Sequence, residues 1–218
     1  MLFKYISQTV KELKWKHLHR TGFIGITVDM DGKQMSGFGR YLSSIDSAHR
    51  PWQWQLQHTV KFCKAHFLRS IGTATGNTPS INNSVHQRMR DLLTCQSWEE
   101  YDTLCGLLIE HEAVPIRNWA KHKRNRVIAA GLNRHITKMA QRDWDILEET
   151  SNNVEQSAKK SYSYGKTLHL LPAIHMALKL DMRDIDQYRS HDERSVRHSE
   201  RSTSLSARYH KSMGRESK

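Results

Sequence analysis

The chain contains no apolar run approaching the ~18 residues that a membrane-spanning helix requires, so the sequence predicts no membrane partner. The first twenty residues carry lysines but no continuous apolar segment leading to a small-residue cleavage site, which argues against a secretory leader. Cysteine is scarce: Cys63, Cys95 and Cys105 are odd in number and lack framework spacing. That excludes a disulfide scaffold and points to a reducing compartment, nucleus or cytoplasm. A glycine-rich phosphate loop, a nucleophile elbow and a paired C-x2-C are also missing, which removes three common routes to an activity.

Acidic residues are in short supply as well. Asp and Glu total 22 against 34 Lys and Arg, a formal charge of +12 over 218 residues. Such an imbalance favours polyanionic partners, because each phosphate contact releases condensed counterions. Nucleic acid is the first candidate, with DNA bound without sequence preference and in a salt-dependent way, and an acidic membrane surface or acidic protein is the alternative that charge alone leaves open. Hydrophobic residues make up only 37%, but six Trp, seven Tyr and five Phe give enough bulk for a modest core. The length then suits one domain with a helical subdomain and a tail.

The pattern along the chain is α+β and mostly α. Tyr5 to Leu13 has weak helical periodicity, and the β-branched run Phe23 to Val28 reads as a buried strand ending in the turn Asp29-Met30-Asp31-Gly32. Lys33 to Ile45 reads as a helix weakened by Gly37 and Gly39. Pro51 ends that element, Trp52 and Trp54 alternate, and His58 to Cys63 reads as a second strand. Lys64 to Ile71 is helical, and Gly72 to Asn82 has loop composition. From Asn83 to Met139 the periodicity is helical throughout, with Ser97 and Glu100 spaced as a capping box and Pro115 near a helix start. Asn152 or Asn153 would cap a helix through Tyr162, and Leu168 to Leu180 forms one more amphipathic helix. From about Tyr188 the composition turns to Ser, Arg, His and Glu, which predicts a disordered basic tail over 188–218.

Four groups of residues carry candidate chemistry. Asp29 and Asp31 follow a buried strand, where a carboxylate is held rigidly enough to ligate a metal, although a plain turn explains them too. Cys63 and His66, in Cys-x2-His, fall on one face of a helix; the pair is two ligands short of a structural zinc site. Glu155 sits at a helix start, which the helix dipole alone favours. Lys121, Lys123, Arg124 and Arg126 form a basic run beside Trp119, suited to a phosphate backbone or to a solvated helix face.

Taken in order, these segments resemble the C-terminal part of the catalytic region of fungal-type Mutator-like (MULE) DDE transposases. The run Ile26-Thr27-Val28-Asp29-Met30-Asp31, with Gly37-Phe38-Gly39 and Tyr41-Leu42, is similar to the segment around the family's second catalytic aspartate. Phe62-Cys63-Lys64-Ala65-His66-Phe67 is similar to its C-x2-H block, and Trp119 to Lys123 to its helical W…K segment. Ser151-Asn152-Asn153-Val154-Glu155-Gln156, then Gly165 and Leu170-Leu171-Pro172-Ala173-Ile174, resemble its "TN…E" block and closing helix. The resemblance spans roughly Trp15 to Asp184.

What the resemblance implies is a partial RNase H-like fold, late strands only, over 15–75, a helical insertion over 83–148 and terminal helices over 150–187. It implies Mg²⁺-dependent cleavage and transfer of DNA strands in the parent family, with Asp29 as second acid (Asp31 as runner-up) and Glu155 as third. Two departures qualify it. Before Asp29 the only acid is Glu12, so the first catalytic aspartate has no counterpart, and Ser157-Ala158-Lys159 replaces the histidine expected after the last acid. The expectation is a transposase-derived, nuclear DNA-binding fragment, inactive alone, with a vestigial Mg²⁺ site at Asp29 and Glu155 that holds the ion weakly. The alternative is a small basic helical module that binds nucleic acid or protein and has no transposase ancestry.

Overall fold

A computed structural model describes residues 13–76, 83–151, 165 and 167–195. The chain divides into two compact units, Met1–Asn153 and Val154–Lys218. The fold is α+β and mostly helical, with a two-stranded parallel sheet among the described residues.

In the first unit, a single helical turn (α1, Lys16–His19) leads into β1 (Ile26–Val28). The strand is shorter than the run Phe23 to Val28. Gly25 interrupts that run by passing so close to Thr59 that an added Cβ would lie 2.5 Å from its carbonyl oxygen. Phe23 makes only an isolated bridge to Trp15. Helix α2 (Gly32–Ile45) follows, capped by Asp31, whose side chain accepts from the Gln34 amide. The two internal glycines do not break it. At Gly39 a Cβ would stand 2.9 Å from the Trp52 carbonyl oxygen, so the glycine is where α2 meets the next helix.

That next element corrects the sequence reading. Trp52–Thr59 is a helix, α3, and β2 is confined to Val60–Phe62. Trp52 and Trp54 alternate in sequence, but the pairing that matters is i,i+4: the Trp54 ring stacks on His58 at 3.7 Å, and the Arg50 guanidinium lies 3.8 Å over Trp54. Asp46 organises the preceding loop. Its carboxylate accepts from Arg50 Nε and NH2, from Gln55 Nε2 and from two backbone amides. The paired Arg50 guanidinium chiefly holds that carboxyl far below its usual range, against the opposing effect of burial.

Strands β1 and β2 pair in parallel, Ile26 with Val60, Thr27 with Lys61 and Val28 with Phe62. Helix α4 (Lys64–Thr75) starts directly from β2 and runs past Gly72 into the stretch that composition assigns to a loop. It stops at Gly76, whose φ of 66° is left-handed and whose amide closes the last turn. Helices α5 (Asn83–Asp91), α6 (Trp98–His111), α7 (Val114–Lys123), α8 (Arg126–Leu132) and α9 (Gln141–Ile146) make up the remainder. The helical reading from Asn83 to Met139 fails between α8 and α9, where Asn133 turns the chain by accepting from His135 and donating to the Leu92 and Cys95 carbonyls. The capping box at α6 forms with a shift: Ser97 accepts from the Glu100 amide, while Glu100 reaches back to Gln96.

One core unites these elements, with Phe38, Leu42, Leu56, Phe67, Tyr101 and Leu108 fully enclosed. Helix α8 lies on β2 so closely that a Cβ at Gly131 would meet the Phe62 ring at 2.4 Å. On the other side of α8, the Asn125 side chain caps its first turn through Val127 and Ile128.

The second unit is described by helix α10 (Leu170–Arg194). It extends beyond Tyr188, where composition places the start of a disordered tail; Arg and Glu are good helix formers even without apolar residues. Residues 196–218 lie outside the described residues, as do Glu155 and the helix expected from Asn152 to Tyr162, and most of the one from Tyr5 to Leu13.

Candidate functional site

The parallel register brings two chain segments out of the sheet side by side. Asp29 is the first residue after β1 and Cys63 the first after β2, and the Cys63 amide donates to the Val28 carbonyl at 2.9 Å. Cys63 is also the N-cap residue of α4, so His66 falls in that helix's first turn. From there its Nδ1 reaches Asp29 Oδ1 at 2.8 Å.

A third segment closes the site. Thr27 Oγ1 donates to the Glu148 carbonyl at 2.8 Å, and the Lys64 amide donates to the Glu149 carbonyl at 2.8 Å. With residues 148–149 so fixed, Ser151 arrives over the strand ends. Its hydroxyl donates to Asp29 Oδ1 at 3.1 Å, and its amide donates to Cys63 Sγ at 3.3 Å. One ligand atom each of Asp29, Cys63 and His66 lies within 4.8 Å of the other two. The sequence reading treats Asp29 and the C-x2-H pair as separate motifs; the structure joins them. It includes Ser151 only as part of a matched block, although the block's position in the family order was a signal that it belongs near Asp29.

The three thiols differ in character. Burial pushes the Cys63 thiol up, but hydrogen bonds from Ser151 and His66 outweigh it and set the pKa to about 7. Burial pushes Cys95 up to about 11 and Cys105 up to about 12. Only Cys63 among them is poised to ionise near neutrality. Arg69 NH1 donates to His66 Nε2 at 3.1 Å, which leaves the ring proton on Nδ1, toward Asp29.

Asp31 is spent elsewhere: its Oδ1 accepts from the Gln34 amide at 2.7 Å as the cap of α2. Among the described residues, which do not include Glu155, the donor set around Asp29 does not fit Mg²⁺. That ion demands near-octahedral oxygen ligation, and Asp29 has a thiol and an imidazole as its nearest ligating neighbours.

The basic run is dispersed because it straddles the end of α7 and the start of α8. Ile116, Trp119, Ala120 and Lys123 share the buried face of α7, and Lys123 is only 3% exposed, which removes it from any phosphate backbone. Its ammonium meets Met30 Sδ at 3.2 Å and lies 5.5 Å from the Trp119 ring centroid. Desolvation lowers its pKa to about 8. Arg124 forms a bidentate pair with Asp102 at 2.7 and 2.8 Å. Arg126 lies over the Trp98 ring at 4.2 Å, and Lys121 is exposed. Of the four cations, Lys121 and Arg126 are thus the two that remain available to a phosphate.

A cavity beside β2 is lined by Lys61, Lys64, Leu132, Arg134, Trp144 and Glu149. Lys61 Nζ donates to the Trp144 and Leu147 carbonyls at 2.9 and 2.7 Å, tying the end of α9 to the sheet. Sequence reasoning gave this buried lysine no role, because a lone Lys inside a short strand run carries no pattern.

No protein-family model, no curated protein and no solved structure matches the chain.

Proposed function

We propose that the chain is a DNA-binding fragment derived from a Mutator-like transposase, working in the nucleus and without strand-cleaving activity of its own. One observation carries the reading: three segments that resemble, in order, parts of that family's catalytic region, around Asp29, around Cys63 and His66, and beginning at Ser151, converge within hydrogen-bonding distance. Parallel strands ending side by side in an aspartate and a capping cysteine are what the later half of an RNase H-like sheet would supply. Ser151 meets Asp29 across 122 positions of sequence, as the resemblance implies for a block that carries the third acid. Loss of cleavage is part of the proposal because, among the described residues, Asp29 stands beside sulfur and nitrogen donors, a set ill suited to clamping the two hard cations of phosphoryl transfer.

DNA binding rests on the charge of +12. Affinity for random-sequence duplex DNA should fall by orders of magnitude between low and physiological salt. Replacing both Lys121 and Arg126 with glutamate should weaken binding and reduce the salt slope by about 2. Association that is insensitive to salt, or Mg²⁺- or Mn²⁺-dependent nicking of supercoiled DNA that vanishes in Asp29→Ala, would contradict the proposal.

A second reading, a helical protein-interaction module, draws on α10, where Leu171, Ile174 and Leu178 are exposed. It predicts that DNA affinity is weak while self-association or partner capture depends on those three side chains.

A further inference from the structure

We propose that Asp29, Cys63 and His66 form a three-ligand site for a thiophilic divalent cation of the zinc type, rather than for the hard cation associated with the catalytic aspartate. Zinc prefers Cys sulfur, His nitrogen and carboxylate oxygen in a tetrahedron, and open zinc sites use three protein ligands with a fourth position left to solvent or substrate. That is the donor set at the strand ends. Around a tetrahedral zinc, neighbouring ligand atoms stand roughly 3.3–3.6 Å apart. The three atoms already lie within 4.8 Å of one another, with His66 Nδ1 and Asp29 Oδ1 at 2.8 Å, so the ion needs side-chain adjustments of about 1 Å rather than a new backbone.

The scaffold is rigid where zinc needs rigidity. Cys63 is fully buried and fixed by the Val28 carbonyl and by its place at the start of α4. The Ser151 amide donates to its sulfur, an arrangement that stabilises a thiolate ligand, and the Ser151 hydroxyl holds the carboxylate. Asp29 is exposed, so the fourth position opens on the solvent side. Binding is balanced in protons. The thiol gives up its proton, the Nδ1 proton is displaced and the ring takes the Nε2–H tautomer, which frees exposed Arg69 from its present contact with Nε2. Cys95 and Cys105 are buried and belong to no such cluster among the described residues.

The inference does not depend on DNA binding and is tested without DNA. The full chain, reduced and stripped with chelator, is titrated with Co²⁺ and then with Zn²⁺. The expected result is one Co²⁺ per chain, with tetrahedral d–d absorption and a sulfur-to-cobalt charge-transfer band, both erased when Zn²⁺ displaces the cobalt. Cys63→Ser should lose the charge-transfer band while Cys105→Ser keeps it. Asp29→Asn, at an exposed position that the fold does not rely on, and His66→Gln should each weaken binding by at least about tenfold. Arg69→Ala should tighten it. A charge-transfer band that survives Cys63→Ser, unchanged affinity in Asp29→Asn, or several ions bound through scattered histidines with no sulfur band would overturn the assignment.

Discussion

Two regions that look alike as candidate sites behave in opposite ways. At the strand ends, Asp29, Cys63 and Ser151 are far apart in sequence and meet in space. In the basic run, Lys123, Arg124 and Arg126 are near neighbours in sequence and separate: one enters the core, one pairs with Asp102, one lies on Trp98. The difference is the geometry of the element. The basic run straddles the end of α7 and the start of α8, so its side chains leave in different directions, whereas parallel strands deliver their exits to one edge whatever the length between them. A charge cluster in sequence is therefore weak evidence of a charged surface, and acids or thiols that directly follow short buried strands are better evidence of a site.

The contrast can be broken most forcefully at Gly131, which lets α8 seat against β2. Gly131→Val should destabilise the first unit by about 3 kcal/mol through overpacking against Phe62, measured by denaturant unfolding. If the strand ends depend on that seat, the variant should also lose the low ionisation of Cys63, while Arg124→Ala should not. Retention of both stability and thiol behaviour would mean that the strand pair stands without α8.

Lys123 gives the next largest effect. Its folded pKa of about 8 lies below the ordinary 10.5, so the unfolded chain binds more protons between those values. Stability should accordingly rise as pH increases from 8 to 10.5, by about 2–3 kcal/mol, with the burden of the buried cation fully present below 8. Lys123→Met should remove the rise and stabilise the protein at pH 7. A flat stability profile in the parent chain would show that the ammonium is solvated and belongs to the surface after all.

Thiolate absorbance offers a third measurement. In a difference spectrum against Cys63→Ser, the parent chain should titrate near pH 7, and Cys95 and Cys105 should remain silent until strongly alkaline pH. A midpoint near that of an ordinary thiol would detach Cys63 from Ser151 and His66. The smallest effect is expected at Arg124: breaking its exposed pair with Asp102 should cost under about 1 kcal/mol and less in high salt.

Much of this was legible in the sequence, and the failures have causes. The helix over Gly32–Ile45, the α6 cap at Ser97 and the start of α7 near Pro115 follow from local signals that tertiary packing left in force. The helix Trp52–Thr59 was not legible in the sequence, where Trp52 and Trp54 only alternate and His58 opens the expected strand, because its stabilising contacts are i,i+4. Asp29, Cys63 and His66 were each identifiable, yet their union depends on a strand register that no local pattern specifies. Lys123 misled through residue type. Its spacing from Ile116 and Trp119 assigns it to the apolar face, and a basic residue discourages that reading. Asp46, which gathers Arg50 and Gln55, carried only an i,i+4 charge pair as its signal.

The register of β1 on β2 sets how the gene can change length. Val28 and Phe62 are opposite each other, and the site begins at the very next residue of each strand. Extra residues in the crossover would add little closure entropy and leave the strand exits level, although around His49 they would disrupt the Asp46 network. A single residue added to or removed from Ile26–Val28 or Val60–Phe62 would shift one exit by about 3.3 Å and turn its side chains to the opposite face of the sheet. Insertions and deletions should thus be tolerated better in the exposed turns of this unit than in its packed helices or its six strand positions.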